Sequence, residues 1–216
     1  MIVNEVITGT IAIVLAYLIG SFPSAYVVTR LMSGKDIRQL GSGNVGAHNT
    51  YREVGMAAAV LVAVLDVGKG AAAVVLAHRL VDIPLYQLNT IVLLAGVAVV
   101  AGHMWSIYIR FTGGNGLGAS VGVLIMVLPW EFLIFIPVFA ILVLITRNVV
   151  LSTNIGLLSV PVSAWFLEKE WLYVVFCIAL IILLVLNFIP TAMNAMVKAG
   201  SRRNMADELL RRKKNQ

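Results

Sequence analysis

Apolar runs long enough to cross a bilayer, separated by short polar segments, dominate this 216-residue chain. A helix crossing a hydrocarbon core of roughly 30 Å needs about 20 largely apolar residues. Inside that core only helices and closed barrels satisfy every backbone polar group. Seven apolar segments are read, at about 6–29, 56–78, 87–109, 117–129, 131–146, 149–167 and 171–189. Charged residues make up 12% of the chain, about half the density of a soluble domain. They fall between the runs, not along one face. The expected fold is an all-α integral membrane protein with seven transmembrane helices, some of them short. Residues 1–190 are expected to form one polytopic membrane domain and 191–216 a basic tail.

The fourth and fifth segments are divided at Pro129-Trp130-Glu131, where a proline, an interfacial aromatic and a carboxylate suit a turn at a membrane surface. One long kinked span there would give six crossings instead. With seven, one side of the membrane receives Arg30, Lys35, Arg38, Arg52, Arg110, Arg147, Lys198 and the basic residues from Arg202 to Lys214. The other side receives only Arg79 and Lys169 among the cations, with Glu5, Asp82, Glu131, Glu168 and Glu170. The positive-inside rule makes the first side cytoplasmic, so the N-terminus is expected outside and the C-terminus inside. The expected location is the cell (inner) membrane, with the polar loops facing the cytoplasm.

The net charge of +6 fits a surface near anionic lipid better than a nucleic-acid face, because the cations are dispersed between apolar runs. Met1-Ile2-Val3-Asn4-Glu5 lacks the positive region of a signal peptide, and the first run is read as a retained span. Cys177 is the single cysteine; with no partner for an intrachain disulfide, it is read as a small lipid-facing or core residue. No internal repeat supports an inverted-repeat transporter.

Two polar segments and one buried pair carry candidate chemistry. The first is Asp36 to Arg52, with Gly41, Gly43 and Gly46 close enough for backbone amides to converge on an anion. Ser42, Asn44 and Asn49 add neutral donors, and Arg38 and Arg52 add forked cations suited to phosphate. The second is Gly102-His103 followed by Gly113-Gly114-Asn115-Gly116, glycines at the start of a helix whose N-terminus could attract phosphate or whose lack of side chains could serve close helix packing. It is not a Walker A loop, since no Lys-Ser or Lys-Thr follows. Asp66 and Lys69, three residues apart at membrane depth, face one side of a helix. They form either a structural ion pair or a phosphate contact in which Lys69 is the ligand. His48, His78 and His103 lie on separate segments without a ligand cluster, so no metal and no cofactor are expected. His48 and Glu53 form a His-x4-Glu pattern reminiscent of an acyltransferase His-x4-Asp dyad, although the flanking glycines fit an anion loop better. No Gly-x-Ser-x-Gly elbow is present.

Taken together, these segments resemble the acyl-phosphate:glycerol-3-phosphate acyltransferase (PlsY) family. The likeness begins at Gly20-Ser21-Phe22-Pro23-Ser24-Ala25-Tyr26. It becomes specific at Asp36-Ile37-Arg38 and at Gly41-Ser42-Gly43-Asn44-Val45-Gly46 through Asn49 and Arg52. It continues through Asp66-x-x-Lys69-Gly70 and Gly102-His103. The chain departs from the family at several positions. Its Gly-Gly-Lys-Gly loop has Asn115 in place of the lysine, and its following Ala-Thr reads Gly118-Ala119, with Ser120 one place later. Val150 replaces a hydroxyl within Thr146–Thr153. The terminal His-Arg-x-Asn-Ile reads Ser201-Arg202-Arg203-Asn204-Met205. Losing one charge-assisted phosphate contact costs on the order of 1.5–3 kcal/mol, roughly ten- to a hundredfold in affinity.

The resemblance implies attack of the sn-1 hydroxyl of glycerol 3-phosphate on an acyl phosphate, giving lysophosphatidic acid and phosphate without a covalent enzyme nucleophile. It implies Ser42, Asn44 and Arg52 as catalytic, with Ser42, Gly43 and Asn44 at the acyl-phosphate head. Arg52, Lys69 and Gly113, Gly114, Asn115 and Gly116 would hold the acceptor phosphate, with Arg38 and Asn49 orienting them. Gly46, His103, Thr153, Arg202 and Asn204 complete the expected substrate contacts, and membrane lipids are the expected surroundings. Asn115, Val150 and Ser201 also motivate a non-catalytic or altered-acceptor paralogue; a small transporter is the third alternative.

Overall fold

The computed structural model describes residues 2–85 and 87–199, with side chains at 5–85, 87–149, 151–189 and 193. Among them, regular structure is helical: α1 (Ile2–Ser21), α2 (Ser24–Ser33), α3 (Ala47–Glu53), α4 (Met56–Leu80), α5 (Thr90–Met104), α6 (Leu117–Val127), α7 (Pro129–Thr146), α8 (Val149–Gly156), α9 (Ser159–Leu167) and α10 (Trp171–Ala199). Single 3-10 turns occur at Ile37–Gln39 and Ile107–Ile109, and one isolated antiparallel bridge joins Ser106 to Thr112.

Four stretches have the length and apolar character of a membrane span: Glu5–Ser33, Met56–Leu80, Pro129–Thr146 and Trp171–Ile189. Three apolar helical stretches, Thr90–Met104, Leu117–Val127 and Leu151–Leu167, are shorter. At 1.5 Å per residue, α5 extends about 22 Å and α6 about 16 Å, less than a full hydrocarbon core.

Three helix breaks fall at or near a proline, while α7 runs on through Pro137 and α10 through Pro190. The run expected at 6–29 divides between α1 and α2 at Phe22-Pro23, because proline lacks an N–H and its ring excludes the residue before it from helical geometry. The break at Pro129 is present, with α6 ending at Val127 and α7 starting on the proline. The single segment expected at 149–167 is instead two helices, α8 and α9, separated by a turn at Leu157-Leu158. Pro161 lies four residues after Leu157, where its ring opposes that carbonyl. Asn89 and Asn148 cap α5 and α8: Asn89 Oδ1 accepts from Ile91 N at 2.8 Å, and Asn148 Oδ1 from Leu151 N at 3.1 Å.

The chain divides into two compact units, Met1–Leu128 and Pro129–Gln216. In the first, α1 packs along α5 and α4, and α4 along α6. Glycines make these contacts close. A Cβ on Gly20 would strike Val99 O, and one on Gly102 would strike Tyr17 O; Gly70 faces Ala119 O and Gly122 faces Val67 O in the same way. In the second unit α7 packs on α8 and α9, and α9 on α10. Phe132, Phe135 and Phe139 stack along α7 with centroids 5.9 and 5.6 Å apart, Phe135 against Gly156. Tyr173, Phe176, Cys177, Leu180 and Leu184 form the buried stripe of α10, which places Cys177 in the core. α10 runs on through Pro190 to Ala199; the basic residues from Arg202 onward lie outside the described residues.

The glycine contacts make a paired prediction. Gly122→Val should destabilise the fold by about 1–3 kcal/mol through overpacking, read as a lower Tm in detergent. Gly68, which has no atom within 4 Å of a built Cβ, should tolerate Ala with a gain of about 0.5–1 kcal/mol. Equal melting of Gly122→Val and wild type would contradict the close α4–α6 contact.

Candidate functional site

The segment after α2 is ordered by side chains of its own. Gly34 closes α2 in the left-handed region (φ 71), its N–H donating to Arg30 O. Asp36 then caps the 3-10 turn, accepting from Arg38 N at 3.0 Å. Its carboxylate also takes a forked bond from the Arg38 guanidinium, at 2.6 Å from Nη2 and 3.0 Å from Nε, while that group stacks 5.0 Å from the Tyr26 ring centroid. The hydrogen bond from Arg38 holds the Asp36 carboxyl below the ordinary carboxylate range and raises Arg38 in turn. The pair is therefore intact at neutral pH and lost only as acid protonates Asp36. Arg38 fastens the loop to α2.

Asn49, in the first turn of α3, is the hub of the next seven residues. Its Oδ1 accepts from Ser42 N at 3.1 Å, and its Nδ2 donates to Leu40 O at 3.0 Å and Asn44 O at 3.1 Å. Gly43 N donates to Leu40 O at 2.8 Å, and Val45 N to Gly113 O at 3.2 Å. Gly41 and Gly43 have φ of 53° and 72°, which side chains other than glycine's resist. The expected nest of amides is thus satisfied largely within the protein. The loop offers side chains instead: Ser42 and Arg52 are exposed, and Asn44 is half-buried. Gly46 is buried as the residue before α3, its carbonyl accepting from Thr50.

The second glycine segment meets the first. After α5 the chain turns through Arg110 and Phe111, both at positive φ (62° and 56°), and returns by the Ser106–Thr112 bridge. Tyr17 Oη donates to Trp105 O at 2.7 Å and Ser106 Oγ to Ser21 O at 2.5 Å, anchoring this turn to α1. Gly114 N donates to His103 O at 3.1 Å. Gly116 (φ 83) starts α6, whose first-turn N–H groups have no partner within the helix. Asn115 is half-buried at that helix mouth.

Asp66, Lys69 and His103 form a buried cluster below. Lys69 Nζ lies 2.9 Å from Asp66 Oδ1 and donates to Phe22 O at 2.9 Å, so it ties α4 to the α1–α2 break. His103 Nδ1 lies 3.4 Å from the same carboxylate oxygen.

Of the expected site residues, Arg38, Ser42, Gly43, Asn44, Gly46, Asn49, Arg52, Lys69, His103, Gly113, Gly114, Asn115 and Gly116 all belong to the first unit. Thr153 lies in the second, buried on α8 with its hydroxyl donating to Val149 O at 2.7 Å. Arg202 and Asn204, with Ser201, lie outside the described residues, as does the side chain of Val150. Among the described residues no three His, Cys, Asp or Glu side chains gather as a metal-ligand set.

His48 and Glu53 lie five residues apart on α3, about 140° apart around the helix. Glu53 has another place. A methyl group on Gly41 would lie 2.5 Å from both Asn49 Oδ1 and Glu53 Oε1, so this carboxylate leans over the loop beside Ser42. Sequence reasoning missed it, although the helical spacing of Asn49 and Glu53, i and i+4, was the available signal.

Residues 10–195 match the model of the glycerol-3-phosphate acyltransferase family. Glycerol-3-phosphate acyltransferase 1 of Dehalococcoides mccartyi is 37% identical over 204 residues, covering 90% of this chain and 94% of the relative. The glycerol-3-phosphate acyltransferase of Bacillus velezensis is 37% identical over 163 residues, covering 76% and 81%. Among solved structures, the crystal structure of PlsY (YgiH), an integral membrane glycerol 3-phosphate acyltransferase in its glycerol 3-phosphate form, superposes with a TM-score of 0.78. The identity is 27%, over 88% of this chain and 92% of that one. Its lysophosphatidic acid form gives 0.76 at 26% identity, with the same coverage. On this match of family, length and architecture, the chain belongs to the glycerol-3-phosphate acyltransferase family.

Proposed function

We propose that this membrane acyltransferase moves a fatty acyl group from an acyl phosphate to the sn-1 hydroxyl of glycerol 3-phosphate. The new ester bond forms as the acyl–phosphate bond breaks. The products are lysophosphatidic acid and inorganic phosphate, and the hydroxyl proton leaves with the phosphate. One observation carries the reading: two glycine segments far apart in sequence are joined by Val45 N donating to Gly113 O, in a loop that exposes Ser42 and runs on into α3, where Arg52 is exposed. An acyl phosphate is already activated, so the protein has only to orient two anionic heads and stabilise developing charge.

Ser42 and Asn44 bind the acyl-phosphate head through their side chains, on a loop shaped by Gly43 and Gly46. Arg52 neutralises phosphate charge. The Gly113–Gly116 segment and the N-terminus of α6 hold the acceptor phosphate. Arg38 and Asn49 orient the first loop. The chain crosses the inner membrane seven times, with α5, α6 and the α8–α9 pair as short crossings, the N-terminus outside and a basic C-terminal tail in the cytoplasm. The concentration of cations on one side supports this orientation. Trp130, Trp165 and Trp171, exposed at the ends of α7, α9 and α10, suit the membrane surface as interfacial anchors.

A second reading rests on Asn115, which leaves the second glycine segment without a cation of its own: the site accepts a different phosphorylated alcohol. Purified protein in lipid, given palmitoyl phosphate, should release phosphate and form lysophosphatidic acid only when glycerol 3-phosphate is present. Asn115→Lys should lower the KM for glycerol 3-phosphate about tenfold. Phosphate release with another acceptor but not this one would favour the second reading.

Two further outcomes follow from the first loop. Ser42→Ala and Arg52→Ala should each lower kcat/KM by about a hundredfold or more, and wild-type turnover in either would remove that residue from the site. Glu53→Gln, by withdrawing a carboxylate that opposes the incoming anion, should lower the KM for palmitoyl phosphate by about two- to fivefold, less at high salt. A higher KM would show that the carboxylate assists binding.

A further inference from the structure

Lys69 and His103 are the two groups beneath the second glycine segment whose chemistry would suit a phosphate, yet neither is presented to one. Their side chains are 8% and 4% exposed. The Lys69 ammonium is held between Asp66 Oδ1 and Phe22 O, both at 2.9 Å. The His103 ring turns Nδ1 to the same carboxylate oxygen. Its other edge lies under the loop: a Cβ built on Gly114 would strike Nε2, and one on Gly113 would strike His103 O and Met104 O. Gly114 N also donates to His103 O. At the far end of the segment, a Cβ on Gly118 would lie 2.7 Å from Asp66 Cβ. The same two side chains thus underlie both ends of residues 113–118.

We propose that Asp66 and His103 act as a positioning pair for this segment, the His103 ring wedged beneath Gly114 and the Asp66 side chain beneath Gly118. Through the loop they set the affinity for the acceptor phosphate without touching it. This deepens the function proposed above and rests on it for the identity of the acceptor. Lys69 plays a separate part, neutralising Asp66 and fastening the carbonyl of Phe22 at the α1–α2 break. The arrangement matters more because residue 115 is asparagine. A loop with no cation binds an anion through backbone amides and the helix end, and these act only at short range and in the right direction. Geometry then replaces charge as the source of affinity. Around His103, the neighbouring helices present Asp66 and Lys69 from α4 and Tyr17 from α1, the last donating to Trp105 O; α6 has no titratable side chain.

His103→Ala tests the pair by steady-state kinetics and by hydrogen exchange of the purified full chain in detergent. The expected result is a KM for glycerol 3-phosphate raised about tenfold, with kcat changed less than about threefold and the KM for palmitoyl phosphate unchanged. Added imidazole should restore the KM, which a general loss of stability would not allow. Amides of 113–118 should exchange about tenfold faster while those of α4 keep their protection. A fall in kcat at constant KM would mean that His103 touches the reacting atoms, and unchanged kinetics and exchange would mean that it does nothing for the loop; either overturns the proposal. Should His103→Ala fail to fold, His103→Gln, which keeps a polar side chain of similar reach and leaves the Asp66–Lys69 pair intact, is expected to shift KM and exchange in the same directions by less. A wild-type protein that forms no lysophosphatidic acid would sink the function reading instead, while the exchange comparison would still decide the role of the pair.

Discussion

One carboxamide, that of Asn49, holds the first glycine loop in a single shape. It accepts from Ser42 N and donates to Leu40 O and Asn44 O, so three points of a seven-residue turn are tied to the first turn of α3. Without it, Gly41 and Gly43 would give that segment a wide range of conformations. With it, the Ser42 hydroxyl and the Asn44 amide are placed before any ligand arrives. Preorganised donors of this kind are worth more to a developing charge than donors that must first be collected. The bond from Val45 N to Gly113 O carries the same order across to the second glycine segment.

Beneath the loops the order comes from proximity. Gly70 and Gly122 let α4 and α6 touch along their backbones, and Gly20 and Gly102 do the same for α1 and α5. In a bilayer, where lipid tails compete with apolar side chains, such close van der Waals contact is a main source of helix association. The packing also brings Asp66, Lys69 and His103 within reach of one another and of Phe22 O. A charge buried this deeply requires partners. The cluster meets that requirement, and its members then support the loop.

The residues of the loops and the proline breaks were legible in the sequence, because each depends on local chemistry. Glycines at 41, 43 and 46 announce a tight turn, and Pro129 divides α6 from α7. The break at Pro161 carries the same local signal, but hydropathy continues across it and masks the division. What was not legible depends on which segments meet. Arg38 reads as a phosphate ligand until Tyr26 and Asp36 are found around it. For Lys69 the spacing from Asp66 leaves an ion pair and a phosphate contact both open, and the carbonyl of Phe22 beside its ammonium has no signal in the sequence. The amides of the first loop read as donors until Asn49, Leu40 and Gly113 are seen to use them. The contacts with Tyr26, Phe22 O and Gly113 O join separate segments, which spacing along the chain does not encode, whereas Asp36 and Leu40 lie within local reach.

The central claim is that the loop shape fixed by Asn49 makes acyl transfer possible, and Asn49→Asp tests it most directly. Aspartate keeps the size and the acceptor for Ser42 N but replaces the donor with an oxygen facing Leu40 O and Asn44 O. Acceptor-dependent formation of lysophosphatidic acid from palmitoyl phosphate should fall by about a hundredfold or more in kcat/KM, in protein whose melting shows it folded. Turnover at the wild-type level would contradict the account, for it would mean that the chemistry does not depend on the shape of this loop.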